Sequence, residues 1–485
     1  MSKPHDTLTG TDFFRFYQCP HWPYWERWGD PNLRRPLTEA EEQRLADGLT
    51  HEQNIVAKTY GAFDMVKTKN PTEAAAQTLG LMKQGVPVIY QACLKDGEWV
   101  GRPDLLERRP GKSALGDWYY VPVDVKRAHE LKKEHMAQLT FYAVLLERAQ
   151  GMFPPDPAIL NADGERIPFR ASSFLSEFHE IVEQIERMRD GECPDPVFRK
   201  SCLDISPWGA ACEHLAKSTN DIALLYNVDV RKLKALRSFG IRTIEDAANL
   251  DPLALEGQAP GLTIRALEAV QRQARSVMTE SVFIRAPFFD EVRGLEIHFD
   301  IESHPPTDAD YLYGFWIPSE QKYLSFVAES PEEEGEMWQE FLAWIETLPS
   351  EYTIYHYAPY EVQRLRQLSR RYHTEENPWL AKFMLNMIDI KDIVSDHLVF
   401  PLPFYSLKAI GRFLGFAWEG EVHSGGESVL AFDKWMEKGD RTILDSIIQY
   451  NREDVRATAH LIEWIRKYAK VEATFVPPYP WQGQA

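Results

Sequence analysis

Residues 134–149 carry an apolar stripe at Met136, Leu139, Tyr142, Ala143 and Leu146, a three-and-four spacing that predicts a helix with one buried face. Residues 38–61 predict a second amphipathic helix, more heavily charged, opened by the capping-box pair Thr38 and Glu41. Residues 99–125 read as strands, with the turn-rich Arg109-Pro110-Gly111-Lys112 as the break between them. Residues 217–280 change character: short helices separated by Phe239-Gly240-Ile241 and Pro260-Gly261-Leu262, without a strand pattern. From about residue 288 an α/β pattern resumes, with strands expected at 295–301 and 352–355 and a last helix over 444–467. The segment 471–485, with Val476-Pro477-Pro478-Tyr479-Pro480, is expected to be an irregular Pro-rich tail.

A chain of 485 residues exceeds one ordinary core, so two to four domains are expected. The start, MSKPHDTLTGTDFF, has no basic region followed by an apolar run, and no stretch approaches about 18 apolar residues. Neither a secretory signal nor a membrane span is expected, and a cytoplasmic location is the default. The net charge of −19, from 54 basic and 73 acidic residues, argues against a protein that simply coats nucleic acid. It leaves a nuclease open, because metal sites consume carboxylates and a local basic groove suffices for the substrate. Five cysteines in a cytosolic chain are expected to be free thiols or metal ligands.

In Asp124-Val125-Lys126 the strand period puts a carboxylate and an ammonium on one face. Asp104, after Pro103, can meet them from a neighbouring strand. Two such acids can hold Mg²⁺ or Mn²⁺, while a lysine orients water or steadies charge on phosphate. D-x-K alone describes many solvated strand ends, but His51 on the upstream helix and Gln138 and Tyr142, i and i+4 downstream, add to it. The ordered set resembles the RecB-like branch of the PD-(D/E)xK nucleases. That resemblance implies a restriction-endonuclease-like α/β core over 1–216, with His51, Asp104 and Asp124 as metal ligands, Lys126 as the catalytic lysine, and Gln138 and Tyr142 supporting the site.

Many members of that family hold a [4Fe–4S] cluster with one N-terminal and three C-terminal cysteines. Phe16-Tyr17-Gln18-Cys19-Pro20 fits the first part; Cys202 and Cys212 fit the second, but Ile205 stands where the middle cysteine belongs. Three alternatives remain open: Cys193 supplies the fourth ligand, a three-cysteine remnant persists, or the cluster is lost and the thiols pack as small apolar groups. Cys93, in an apolar stretch, is expected simply to pack.

Residues 233–246 read helix, glycine turn and Thr-capped helix, and a second such unit surrounds Gly261. This all-α segment, 217–284, resembles helix-hairpin-helix elements, in which turn N–H groups meet DNA phosphate without reading sequence. Arg237, Gly240, Arg242 and Gly261 are its candidate DNA contacts; a helical spacer that binds nothing is the alternative.

Asp300-Ile301-Glu302 ends an apolar strand with both carboxylates on one face. Glu361 follows the turn His356-Tyr357-Ala358-Pro359, and Tyr450 and Asp454 stack one helical turn apart. The set resembles the DEDD 3′→5′ exonucleases of the RNase H-like fold, implying such a domain over 285–470. It assigns Asp300, Glu302, Glu361 and Asp454 to two metal ions and gives Tyr450 the attacking water. Glu361 departs from the usual Asp and Tyr357 from the usual Asn. Asp389 and Asp392 read as a helix start, with auxiliary metal binding as the other option.

Together these readings give an α/β multidomain protein resembling bacterial RecB-family nucleases with a C-terminal RNase H-like domain. The expected function is a metal-dependent nuclease with two centres, acting on DNA and open to RNA, in repair, recombination or defence. Partners of the kind a helicase or a defence-complex subunit represents are in keeping with it, and a membrane is not. The competing readings are a non-catalytic nucleic-acid-binding scaffold and a nuclease with one working centre.

Overall fold

The computed structural model describes residues 7–290 and 292–475. The chain divides into two compact units after Thr219.

The first unit is built on a six-stranded sheet in the order Asp64–Met65, Val88–Tyr90, Leu105–Ser113, Gly116–Val125, Ala158–Leu160, Arg166–Pro168. Leu105–Ser113 and Gly116–Val125 pair antiparallel, and Ala158–Leu160 joins the latter in parallel. Alternation along these strands sorts two apolar layers. Leu105, Val123 and Val125 pack with Ile55 and Val56 of the helix Glu39–Thr59. Leu106 and Tyr120 pack on the other side with Leu139 and Tyr142 of Lys133–Gln150 and with Phe13 and Phe178. Asp124, between Val123 and Val125, therefore points toward Lys133–Gln150. That helix ends at Gly151, whose φ of +68° suits the left-handed cap.

The helix expected over 38–61 runs from Glu39 to Thr59, with the Thr38–Glu41 capping box formed. The expected break at Arg109–Lys112 is not a break. The strand continues to Ser113, the register slips between Pro110 and Ser113, and the chain reverses between Ser113 and Gly116. A bulge takes up the Pro-Gly pair: proline gives the ladder no N–H, and Gly111 at φ +148° accepts a backbone few side chains allow.

The second unit begins at Asn220 and includes the helical segment. The helix Ile264–Thr279 is tied in through Gln273, whose Nε2 donates to the carbonyls of Phe400 (2.8 Å) and Leu402 (3.2 Å). Val282–Ile284 pairs antiparallel with Leu398–Val399 and with Ala473–Phe475. Part of the expected tail is thus a strand; the Pro-rich residues 476–485 lie outside the described residues.

The main sheet has five strands in the order Lys322–Val327, Ala309–Ile317, Leu295–His304, Tyr352–His356, Met387–Asp389, the first three antiparallel and the last two parallel additions. Ile297, Phe299 and Ile301 face a core containing Phe315, Trp338, Phe341 and Phe383. The 28-residue helix Arg441–Tyr468 packs across the opposite face, with Val455 and Ala459 beside Trp316. No helix among the described residues is long and apolar enough to cross a membrane.

Candidate active sites

In the first unit the hairpin carries two acids that cross-brace. Val125 N donates to Asp104 Oδ2 (2.8 Å), and Asp104 N donates to Asp124 Oδ1 (3.2 Å). Lys126 Nζ lies 3.1 Å from Asp124 Oδ2 and donates to Gln138 Oε1 (3.1 Å); Gln138 Nε2 donates to Tyr142 Oη (2.9 Å). Burial, then the charge of Asp124, pushes the Asp104 carboxyl well above its ordinary range. Burial alone would lower Lys126, but Asp124 and Asp104 raise it, so its ammonium is the counter-charge of the pair. His51 Nε2 is shut off from solvent with no hydrogen-bond partner in the structure, and burial with the charge of Arg127 lowers its pKa.

Five of the six residues expected here form one bonded group. His51, Asp104 and Asp124 do not form a compact ligand set among the described residues. A residue passed over in the sequence comes forward instead: Glu52, which acts electrostatically on both Asp104 and Lys126 and accepts from Gln91 Nε2 (2.5 Å). It sits one residue after His51, so helix phase was the only sequence signal for it. The repulsion between Asp104 and Asp124 is a charge that a divalent cation would offset.

The second unit assembles a tighter acidic site. Asp300 and Glu302 alternate with the core residues of Leu295–His304 and so face the helix Arg441–Tyr468. That helix brings Asp454, and oxygens of Asp300, Glu302 and Asp454 lie within 4.8 Å of one another. Glu361, in the first turn of Tyr360–Arg371, is hydrogen-bonded to Asp300 and meets His356 Nδ1 at 3.2 Å. Its turn is held by Ala358 at φ +73°, whose N–H donates to Asp389 Oδ1 (2.8 Å). Asp389 also caps the next helix through Lys391 N, and Asp392 is exposed, so both serve the helix start.

Burial, followed by Glu302, Asp454 and Glu361, drives Asp300 far upward; burial and Asp454 push Glu302 up to about 8. Burial likewise raises Asp454 and Glu361. A cation would offset the repulsion among these four crowded acids, and their oxygen-only donors fit Mg²⁺ or Mn²⁺. Burial, followed by the charges of Asp454, Glu302 and Asp300, also raises the Tyr450 phenol.

Around the acids stands a second ring of donors that sequence inspection did not single out. Asn451 Nδ2 donates to Asp300 Oδ2 (2.8 Å), and its Oδ1 accepts from Tyr323 Oη (3.0 Å). Trp418 Nε1 donates to Asp454 Oδ1 (2.6 Å). Lys408 Nζ donates to Tyr450 Oη (2.8 Å) and to the His423 carbonyl (2.5 Å). Asn451 adjoins Tyr450 in sequence; Trp418 and Lys408 come from loops and short helices that no motif spacing marks.

A family model of the RNase H superfamily matches residues 297–466, the stretch that carries Asp300 through Asp454. Residues 297–466 form an RNase H-like domain. The match supports a nuclease-type, phosphodiester-hydrolysing role for that domain. The comparison with curated proteins gives no match for the chain.

Outside the RNase H-like domain, Cys19, Cys202 and Cys212 are buried together, with sulfurs within 4.8 Å of one another. Cys193 is exposed and outside the group, so it is not their fourth partner. Cys93 is buried elsewhere, with its thiol toward the Pro71 carbonyl (3.6 Å). The set does not fit a [4Fe–4S] cluster: only three cysteines converge, and they converge too closely for ligands on separate irons.

In the helical segment one candidate contact turns inward. Arg237 is buried in an ion pair with Asp221 (2.7 Å) and is not presented to a phosphate. Gly240 and Gly261 hold φ of +81° and +85°, as such turns require. At the first turn the N–H groups of Phe239, Gly240 and Ile241 bond to carbonyls of the preceding helix. Those of Arg242 and Thr243 bond to the Asp246 carboxylate, at 3.1 and 2.9 Å. Asp246 thereby completes a capping box with Thr243 at the start of the next helix.

Proposed function

We propose that this protein is a divalent-metal-dependent nuclease acting on DNA through two centres, with the RNase H-like site trimming 3′ ends and open to RNA. The carrying observation is the convergence of Asp300, Glu302 and Asp454, with Glu361 bonded to Asp300, on the face of an RNase H-like sheet turned toward the helix Arg441–Tyr468. Asp300, Glu302, Glu361 and Asp454 would hold Mg²⁺ or Mn²⁺, which supply an activated water and charge stabilisation at the leaving oxygen. The protein's own groups do the positioning. Tyr450, held by Lys408, directs its phenol at the water; Trp418 and Asn451 fix the lone pairs of Asp454 and Asp300.

In the first unit Lys126, steadied by Gln138 and Tyr142, would place a positive charge against phosphate, with Asp104, Asp124, His51 and Glu52 around it. The likeness to RecB-like nucleases supports this second centre, as does the Asp–Lys–Gln–Tyr chain of bonds. Repair, recombination or defence is the setting such a pairing suits, with a helicase or a defence-complex subunit as the partner type.

The test is degradation of single-stranded DNA and RNA labelled separately at each end, with Mg²⁺ or Mn²⁺. Wild type is compared with Lys126→Ala, Asp300→Ala and the double variant. Each single variant should remove one product pattern and the double variant both. Loss confined to Asp300→Ala would leave one working centre; binding without any cleavage would make the protein a scaffold.

A further inference from the structure

Neither acidic centre uses the three buried cysteines of the first unit. Cys19 closes the helix Gly10–Gln18, Cys202 lies in Lys200–Asp204, and Cys212 lies in Gly209–Ser218. The fold thus brings three separate segments to one point, with Cys19 and Cys212 separated by 193 positions. Their residue exposures are 0%, 0% and 1%. The Sγ atoms of Cys19 and Cys212 are 3.5 Å apart, and all three sulfurs lie within 4.8 Å.

Those separations discriminate between metal centres. Zn–S bonds of about 2.3 Å in a tetrahedron set the sulfurs about 3.8 Å apart. The observed spread brackets that edge. In an iron–sulfur cluster the thiolates bind different irons joined by sulfide, which spreads them well beyond it. Ile205, at the position of the expected middle cysteine, is 43% exposed and contributes no donor, and Cys193 lies outside the group.

We infer that Cys19, Cys202 and Cys212 form a site for one tetrahedral divalent ion of the zinc class, completed by a nitrogen or oxygen donor, and not for a four-iron cluster. The inference is independent of the nuclease reading. Fully buried His21, two residues after Cys19 and close enough for its charge to act on Cys202, is the neighbouring imidazole. Binding replaces the thiol protons with the ion and releases them to solvent, with no redox step. The surroundings are closed, so the role is structural: the ion joins the N-terminal helix of the unit to its two last helices.

The test uses the full chain purified anaerobically without chelator. Zinc, iron and acid-labile sulfide are quantified, and the visible spectrum is recorded. One zinc per chain in a colourless protein is expected, retained in Cys93→Ser and lost in Cys202→Ser. Replacing the ion with cobalt(II) should give sulfur-to-metal charge-transfer and tetrahedral d–d bands. If Cys202→Ser does not fold, cobalt titration of the chelator-stripped wild type still decides. A brown protein with several irons and sulfide per chain would overturn the inference. So would a metal-free protein that takes up no cobalt.

Discussion

At the scale of single residues, the acidic site depends on donors that never touch a substrate. Trp418 gives Asp454 a 2.6 Å bond from an indole that has no other polar group. Trp418→Phe keeps the ring and removes the donor. Partners of this kind are worth about 10–100-fold in metal affinity or activity. Activity should fall within that range and recover in part at higher Mn²⁺, measured as rate against metal concentration. A second residue-level effect lies at the capping box, where hydrogen bonds from Arg35 and the Thr38 N–H outweigh burial and hold Glu41 down to about 2 against an ordinary 4.5. Because the folded value is depressed, the stabilisation is present above pH 4.5 and is lost as the pH falls through about 2. Glu41→Gln should therefore lower stability at neutral pH by up to about 1 kcal/mol. The gap should narrow steadily below pH 4.5, as read from denaturation midpoints across a pH series.

At the scale of elements, the strand Ala309–Ile317 must pass close beneath the helix Arg441–Tyr468. Gly314, in register with Asp300, provides the room: a Cβ there would lie 1.5 Å from Asn451 Oδ1. Gly314→Ala must push Asn451 aside and free Asp300 Oδ2. Overpacking of this sort costs about 1–3 kcal/mol, and activity should drop about 10–100-fold with the displaced partner. Adding Asn451→Ala should restore much of the melting temperature but not the rate, which separates the steric effect from the chemical one. A rate unchanged in Gly314→Ala would show that Asn451 does not orient Asp300.

At the scale of the whole molecule, the two units each close their own core, and the second includes residues outside its α/β pattern. Val282 and Ile284 are buried with Phe400, Trp464 and Ile465. Burial of such side chains is worth about 1.5–3 kcal/mol each. A fragment of residues 220–485 should fold and keep the activity that Asp300→Ala removes. One starting at residue 285 loses that strand and the Gln273 tie, and should melt lower or aggregate. Thermal melts of the two fragments decide the point; equal melting would show that the helical segment is dispensable.

Periodicity alone determined the helices near 39–59, 133–150 and 441–468 and the strand opening at Leu295, because local pattern and burial agree there. The cap at Thr38 and the placing of Asp300 beside Glu302 were also legible, since both depend on neighbours a few residues away. The tertiary structure decided everything that needed a distant partner. It turned Arg237 inward to Asp221, bonded Asp246 to the N–H groups of Arg242 and Thr243, and ran a strand through Pro110-Gly111 by slipping one register. It recruited Glu52, Lys408, Trp418 and Asn451, whose spacing carries no motif. It also drew Cys19, Cys202 and Cys212 together while leaving Cys193 in solvent. Spacing along a chain reports which side chains share a face, whereas donor–acceptor distances are set only when separate segments pack.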